Sequence, residues 1–222
     1  MTLSRRIDAL VAHQLSRWED TVRPAGAAPC VAIANLPGAG GEEVGRRVAE
    51  LLGYGCFGRE IVDEIARERG VARELMHGLD GRVRSAIDRY VTDAFQEHRF
   101  TESDYLHEVA RLVTTLGRRG MAVIVGRGAA FLLGADSSLR VLVAAPFAFR
   151  LERYAKRHPL AGAAAAEQLR SEDAQREEFI RHHFRARLDD PLAYDLVVNA
   201  ATLGLEGAAG SVVDTLRRRF GA

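Results

Sequence analysis

The sequence predicts an α/β fold, a three-layer α/β/α arrangement in which helices cover both faces of a short parallel sheet. Short, mostly apolar runs occur at residues 30–34, 121–125, 140–144 and 196–198, and segments of helical periodicity separate them. Strands that do not alternate between apolar and polar residues are typical of parallel sheets buried on both faces. Strands that alternate with helices along the chain favour right-handed crossovers.

The composition is that of an ordinary globular protein. Of the 222 residues, 47% are hydrophobic and 27% are charged, and this length suits one large domain or two small ones. The net charge of +1 gives no signal for nucleic-acid binding. Two cysteines indicate a reducing compartment. We find neither a signal peptide nor a bilayer-spanning run, so we expect a cytoplasmic protein without a membrane partner.

An amphipathic helix is predicted at residues 3–18, ahead of the first strand. Its apolar residues recur at helical spacing, and a linker of small residues follows at 25–29. The apolar face must pack either on the main domain, which is the simpler expectation, or on a second copy of the chain in a homodimer.

The first strand ends in a glycine-rich loop that opens directly into a helix. This geometry directs backbone N–H groups and a helix N-terminus at an anion. Against the phosphate-loop pattern G-x-x-x-x-G-K-[ST], however, Asn35 replaces the first glycine, Gly41 the lysine and Glu42 the hydroxyl residue. The residues predicted to bind the phosphates of a nucleotide are Pro37, Gly38, Ala39, Gly40, Gly41, Glu42 and Glu43.

The helix after the loop is expected to run to about residue 52, and a connecting segment at 53–58 leads into a second helix. Residues 68–119 are mostly helical in character. A further helix follows the strand at 140–144, an alanine-rich and charged helical region covers 160–187, and a closing helix is predicted at 211–220.

Four segments, in this order, resemble the cytidylate kinase-like family of P-loop nucleoside-monophosphate kinases. They are PGAGGEEVGRRVAELLG, FGREIVDEIA, VIVGRGAAFLL with LRVLVAAPFAFRLERYAKR, and EDAQREEFIRHHF with YDLVVNAATLG. One departure is Gly58, where the family usually has an aspartate. The resemblance implies a P-loop NTPase-like domain at residues 30–222, with a helical monophosphate-binding insertion at about 59–119 and a helical lid at about 156–190. Residues 1–29 form an N-terminal helical extension outside it.

Arginines are the expected ligands of phosphate, because the planar guanidinium can donate to two phosphate oxygens and keeps its charge. The resemblance implies that Arg59 and Arg127 contact an acceptor monophosphate. Arg127 also follows a buried strand, which places it at the edge of the sheet where open α/β folds bind ligands. The alternative for Arg127 is a surface arginine on a turn.

The predicted lid supplies a second group of arginines. Arg150 and Arg153 are three residues apart and share a helix face, although a solvated basic face paired with Glu152 is as good an explanation. The sequence from Asp173 to Arg176 fits the D-x-x-R pattern of related kinases. The resemblance therefore implies catalytic roles for Arg150, Arg153 and Arg176, and substrate contacts for Asp173 and Arg181. Arg157 is a weaker candidate.

Other residues fit ordinary structural roles as well as functional ones. Asp63 and Glu64 could hold magnesium or act as a base, but carboxylates on helix surfaces are common. Tyr105 could stack on a base or fill the core. No residues are assigned as metal ligands.

Three functions stay open at this point. The first is transfer of the ATP γ-phosphate to a nucleoside monophosphate, CMP by resemblance, with ATP and Mg²⁺ as cofactors. The second is a pseudokinase or nucleotide-sensing module, which the residues at positions 41 and 42 favour. The third is a kinase of another small acceptor, because a fold does not fix a substrate. The arginines favour a phosphorylated ligand in each case.

Overall fold

A computed structural model describes residues 7, 9–12, 14, 28–67, 81–96, 104–159 and 162–221. It contains a five-stranded, fully parallel sheet in the order β2-β3-β1-β4-β5. The strands are β1 (Cys30–Asn35), β2 (Gly55–Phe57), β3 (Ala122–Val125), β4 (Ser138–Ala144) and β5 (Leu196–Asn199). The predicted α/β fold with a short parallel sheet is therefore confirmed.

Helices connect the strands and cover both faces of the sheet. In chain order they are α1 (Gly41–Leu52), α2 (Arg59–Arg67), α3 (Gly81–Gln96), α4 (Asp104–Arg119), α5 (Ala129–Leu132), α6 (Phe147–Arg157), α7 (Gly162–Phe184) and α8 (Ala200–Phe220). A 3₁₀ turn, Pro191–Ala193, precedes β5. Among these helices none is long and apolar enough to cross a membrane.

Successive residues of β1 face two different cores, which explains why the strand is apolar throughout. Ala32 belongs to a core with residues of α2, α3 and α4, whereas Val31 and Ile33 belong to a core with residues of α1 and α8. Because β1 lies between β3 and β4, the loops that follow β1 and β3 leave the sheet side by side at its carboxyl edge. This is the edge at which α/β sheets bind ligands.

Two boundaries differ from the prediction. The segment at 53–58 contains β2, a strand of three residues between glycines, and Gly55 leaves no room for a Cβ because Gln14 lies against it. The last helix begins at Ala200, not at residue 211. The side chain of Asn199 accepts a hydrogen bond from the Ala201 N–H at 3.0 Å and caps the helix, and Gly204, at φ +68°, breaks its first turns.

The N-terminal segment packs on its own chain. Ile7 and Val11 are buried in the same core as Phe57 and Leu116, and the Gln14 side chain donates to the Met121 carbonyl at 3.3 Å. This agrees with the simpler expectation for its apolar face, and the homodimer stays a prediction. The rest of the predicted helix at 3–18, together with residues 68–80, 97–103 and 160–161 of the predicted insertion and lid, lies outside the described residues.

Candidate functional site

A cavity of about 860 Å³ opens at the carboxyl edge of the sheet. Its walls come from the glycine loop after β1, the start of α1, one face of α2, the loop after β3, and α6 and α7. The parallel sheet thus brings together segments that are more than a hundred residues apart in the sequence. Its position and size suit a small ligand.

The glycine loop needs its glycines. Gly38 and Gly40 have φ angles of +77° and +91°, in the left-handed region that side chains disfavour. A Cβ on Gly40 would lie 2.5 Å from Leu205 Cδ2, and one on Gly41 would overlap Asn35. Asn35, which stands where the phosphate-loop pattern has its first glycine, donates its own side-chain N–H to the Leu36 carbonyl at 3.0 Å.

The N-terminus of α1 faces the cavity without a side-chain cap. The first hydrogen bond of the helix runs from the Val44 N–H to the Gly40 carbonyl at 3.0 Å. The N–H groups that precede Val44 in the helix therefore have no acceptor within α1, as at any uncapped helix start. Backbone donors of this kind, at the positive end of the helix dipole, bind anions.

The two glutamates of this first turn behave differently. Glu42 is exposed at the rim of the cavity, so its charge is hydrated. Glu43 turns towards α6, where its Oε1 accepts a hydrogen bond from Arg153 Nη2 at 2.9 Å and forms an ion pair with Arg157. Arg153 Nη2 also lies 3.4 Å from the place that a Cβ on Gly40 would take. An arginine from α6 thus stands beside the loop that lacks its lysine.

Arg150 and Asp173 do not line the cavity. The Arg150 side chain is only 8% exposed, and it donates from Nε to the Ala145 carbonyl and from Nη1 to the Pro37 carbonyl, each at 3.1 Å. Nη1 also donates to Asp173 Oδ1 at 2.7 Å. Through these bonds Arg150 connects the glycine loop to α7. The predicted catalytic and substrate-binding roles of the two residues stay predictions, and this geometry supports a positioning role instead.

Arg176 and Arg59 point into the cavity without a carboxylate partner among the described residues. Arg176 Nη1 donates to the Asn35 carbonyl at 2.7 Å, which anchors α7 to the end of β1. Burial lowers the pKa of Arg176, and the nearby guanidinium of Arg59 lowers it further. The carboxylates of Glu172, Asp173 and Glu42 raise this pKa in turn, but among the described residues neither arginine forms an ion pair. Both guanidinium groups are therefore available to bind an anion.

Arg127 is held in one orientation by Asp63. The arginine has a φ of +52° between Gly126 and Gly128, which are also left-handed, and a side chain in this region is strained. Arg127 Nε and Nη2 both donate to the Asp63 carboxylate, which also accepts a hydrogen bond from the Tyr105 hydroxyl at 2.6 Å. Tyr105 is 37% exposed and lies under the guanidinium, so it does not fill the core, and stacking on a base stays a prediction.

The sequence left Asp63 open between a magnesium or base role and an ordinary surface carboxylate, and the helix spacing offered a signal that it belongs to the site. Arg59 and Asp63 are four residues apart on α2 and therefore share a face, and both line the cavity. Arg181 is the opposite case. It does not line the cavity, and its guanidinium pairs with Glu178 on the exposed side of α7 at 2.6 Å. Its predicted substrate contact stays a prediction without support from this geometry.

The sequence did not indicate the apolar end of the cavity. Phe131, Phe179, Ile180 and Leu188 line it, and they provide a surface on which a flat heterocycle can pack. Nearby, the Tyr154 hydroxyl donates to Glu172 Oε1 at 2.5 Å, and burial raises the pKa of Tyr154 to about 12. Tyr154 therefore stays protonated at neutral pH and fixes Glu172.

Formal charges in the cavity balance. Among the described residues, five arginines line it, namely Arg59, Arg127, Arg153, Arg157 and Arg176, and five carboxylates do so, namely Glu42, Glu43, Glu60, Asp63 and Glu172. Asp63, Glu43 and Glu172 are each engaged by a neighbouring side chain. The described residues hold no group of three or more side chains arranged to ligate a metal. A triphosphate fits the loop and arginines, and magnesium usually enters such sites on the phosphates themselves.

Known proteins resemble this chain over most of its length. A cytidylate kinase of Methanocaldococcus jannaschii is 24% identical over 196 residues, which cover 85% of this chain and 99% of that protein. A cytidylate kinase of Aeropyrum pernix is 30% identical over 193 residues, with 84% and 98% covered. The structure of an uncharacterized protein from Eubacterium ventriosum has the same fold, with a TM-score of 0.58 at 16% identity over 85% of this chain and 98% of that chain.

The sequence profile of the cytidylate kinase-like family matches residues 30–202, a range that begins at β1 and ends just inside α8. It includes the glycine loop and all five arginines of the cavity. The chain therefore belongs to the cytidylate kinase-like family.

Proposed function

We propose that this protein is a nucleotide-binding phosphotransferase that moves the γ-phosphoryl group of ATP to a nucleoside monophosphate, with CMP as the first acceptor to test. The observation that carries the proposal is the convergence of arginines from α2, α6, α7 and the loop after β3 on one cavity, beside the uncapped start of α1. Family membership and the relatives named cytidylate kinases support this class of activity.

The donor end of the site is the glycine loop. The free N–H groups at the start of α1 donate to the phosphates, and Arg153 and Arg157 add positive charge from the side of α6. Arg153 supplies the positive charge that the lysine supplies in other phosphate loops, because its guanidinium already lies against Gly40. ATP would bring Mg²⁺, which neutralises phosphate charge, and the carboxylate of Glu42 is exposed at the rim of the same cavity.

The acceptor end of the site is formed by Arg59 and Arg127. Asp63 occupies Nε and Nη2 of Arg127, which leaves Nη1 to donate to an acceptor phosphate. Asp63 thus orients the arginine, and the loop glycines on each side allow its strained backbone. The apolar patch that includes Phe131 and Phe179 then receives the base.

Arg176 lies between the donor end and the acceptor end. It contacts the carbonyl of Asn35, the last residue of β1, and is close to Arg59. In the proposed reaction an oxygen of the acceptor phosphate forms a bond to the γ-phosphorus while the bond to the β,γ-bridging oxygen breaks, which yields ADP and a nucleoside diphosphate. The protein's part in such a transfer is positioning and charge stabilisation. Arg176 and Arg59 would stabilise the charge on the transferred group.

A second candidate is a module that binds a nucleotide without turnover. The specific observation in its favour is that Gly41 and Glu42 stand where phosphate loops have the lysine and the magnesium-binding hydroxyl. Under this proposal the glycine loop and the arginines bind ATP. The acceptor end then binds a second ligand or no ligand.

The test combines calorimetry with an assay of ADP release. We expect ATP to bind with micromolar affinity in the presence of Mg²⁺, and we expect ADP to form only when a monophosphate is added, fastest with CMP. Arg176→Met should keep ATP binding within about threefold and lower turnover about a hundredfold, the size found when one donor to developing charge is removed. ATP binding without turnover of any monophosphate would favour the second candidate, and failure to bind ATP would contradict both.

A further inference from the structure

The carboxylate of Glu43 pairs with two arginines of α6 that line the cavity. Glu43 is in the first turn of α1, and its side chain is 20% exposed. Arg153 and Arg157, which are one turn apart on α6, both pair with its Oε1. An acidic side chain of the protein is therefore bound by the groups that the phosphates of a donor would need.

The contact leaves polar atoms without partners. Glu43 Oε2 and Arg153 Nε are both buried, and neither has a hydrogen-bond partner among the described residues. A buried donor or acceptor that makes no bond lowers the stability of the arrangement that buries it. A phosphate chain has more acceptor oxygens than one carboxylate, so it can satisfy donors that Glu43 leaves unused.

Other ion pairs of the same helix show that this one is unusual. Arg47 pairs with Glu50 on the outer side of α1 at 3.1 Å, where the side chains are 41% and 56% exposed. Such a pair is hydrated and contributes little. The pair of Glu43 with Arg153 is less exposed, crosses from α1 to α6, and lies in the wall of the cavity.

We propose that Glu43 is a specificity-determining residue, an internal competitor that releases Arg153 and Arg157 only to a ligand carrying several phosphates. The inference rests on the proposed function, in which the start of α1 receives the donor phosphates. A triphosphate carries enough charge and enough oxygens to bind both arginines and the helix start at once. A single phosphate has fewer oxygens and less charge than a triphosphate and gains less by replacing Glu43, so the donor end discriminates against monophosphates, which bind to Arg59 and Arg127.

The experiment measures binding of inorganic phosphate, pyrophosphate and tripolyphosphate by calorimetry at one ionic strength, in the wild-type chain and in Glu43→Gln. The variant removes the charge and keeps the shape. We expect Glu43→Gln to bind inorganic phosphate and pyrophosphate about tenfold more tightly, a change of ~1.4 kcal/mol, and tripolyphosphate only about threefold more tightly. The preference for the longer chain should therefore fall by about threefold. This ratio would not move if Glu43 served stability alone.

Two further variants serve as controls. Glu43→Asp keeps the carboxylate and should keep most of the wild-type preference. Glu50→Gln removes an acidic residue from the outer face of the same helix and should change none of the affinities. If Glu43→Gln does not fold, Glu43→Ala removes the same carboxylate with the best helix-forming residue, and the same ratio is measured.

Weaker binding of all three probes by Glu43→Gln would overturn the inference, because it would mean that Glu43 orients the arginines for the ligand. Unchanged affinities would overturn it as well, and would leave the proposed function intact if ATP still binds. Failure of ATP and all three probes to bind any of the variants or the wild type would instead contradict the proposed function, and the inference with it.

Discussion

Replacing Arg150 by methionine tests whether this arginine fastens the glycine loop or acts on the substrate. The substitution removes three hydrogen bonds, and it leaves the carbonyls of Ala145 and Pro37 without their donor. Asp173 is 29% exposed and can be hydrated, so the loss of its bond contributes little to the loss of stability. We expect a loss of about 3 kcal/mol, because each lost bond to a charged donor costs ~1 kcal/mol or more. For a chain of this length that lowers Tm by roughly 6–12 °C.

The measurement is urea unfolding followed by circular dichroism, together with calorimetry of ATP. ATP affinity should fall about tenfold, since the loop loses its support. Arg181→Met is the matched control, because Arg181 and Glu178 are 66% and 57% exposed and their hydrated pair should contribute little to stability. If Arg150→Met is as stable as this control but has lost turnover, the arginine acts on the substrate and the positioning role is wrong.

Three further predictions concern other parts of the structure. Asp63→Asn removes the carboxylate that orients Arg127, so calorimetry should show monophosphate affinity reduced about tenfold, ~1.4 kcal/mol, with ATP affinity kept. Gly40→Ala meets a leucine side chain at a φ of +91°, so urea unfolding should show a loss of about 1–3 kcal/mol. Burial raises the pKa of Asp195, but hydrogen bonds led by those from Arg140 lower it to about 2 overall. The contribution of the Asp195 carboxylate to the free energy of unfolding is therefore complete above pH ~4 and is lost as the pH falls towards 2. The Asp195→Asn variant should be about 1–2 kcal/mol less stable than the wild type at pH 6 and equally stable near pH 2.

Elements with strong apolar patterns were predictable from the sequence, and elements defined by single contacts were not. The residues of β1 and β3 are apolar throughout because both faces of the sheet are covered, and this pattern is visible in the chain. β2 has three residues and depends on pairing with β3, which no local pattern reports. The start of α8 depends on the cap at Asn199, in a segment whose glycines weaken the helical pattern.

The sequence predicted which arginines belong to the site, but not which residues they pair with. The arginines at 59, 127, 153 and 176 line the cavity, as the positions at the sheet edge and on the lid suggested. Arg150 and Arg153 share a helix face, yet Arg150 donates to the Pro37 carbonyl and Arg153 to Glu43. These partners depend on how α6 packs against the loop, which no local sequence pattern reports. The sequence predicted Glu43 as a phosphate-loop residue and Asp63 as a possible magnesium ligand or base, but it did not show that each pairs with arginines from other segments.

The balance of five arginines against five carboxylates in the cavity has a kinetic consequence. A site with a strong positive potential accelerates the arrival of polyanions, and that acceleration falls as salt is added. Here the formal charges cancel and the whole chain carries only +1, so long-range attraction of a nucleotide is weak. The association rate constant for ATP should therefore change little with ionic strength, and discrimination between ligands should reside in how slowly the bound ligand leaves.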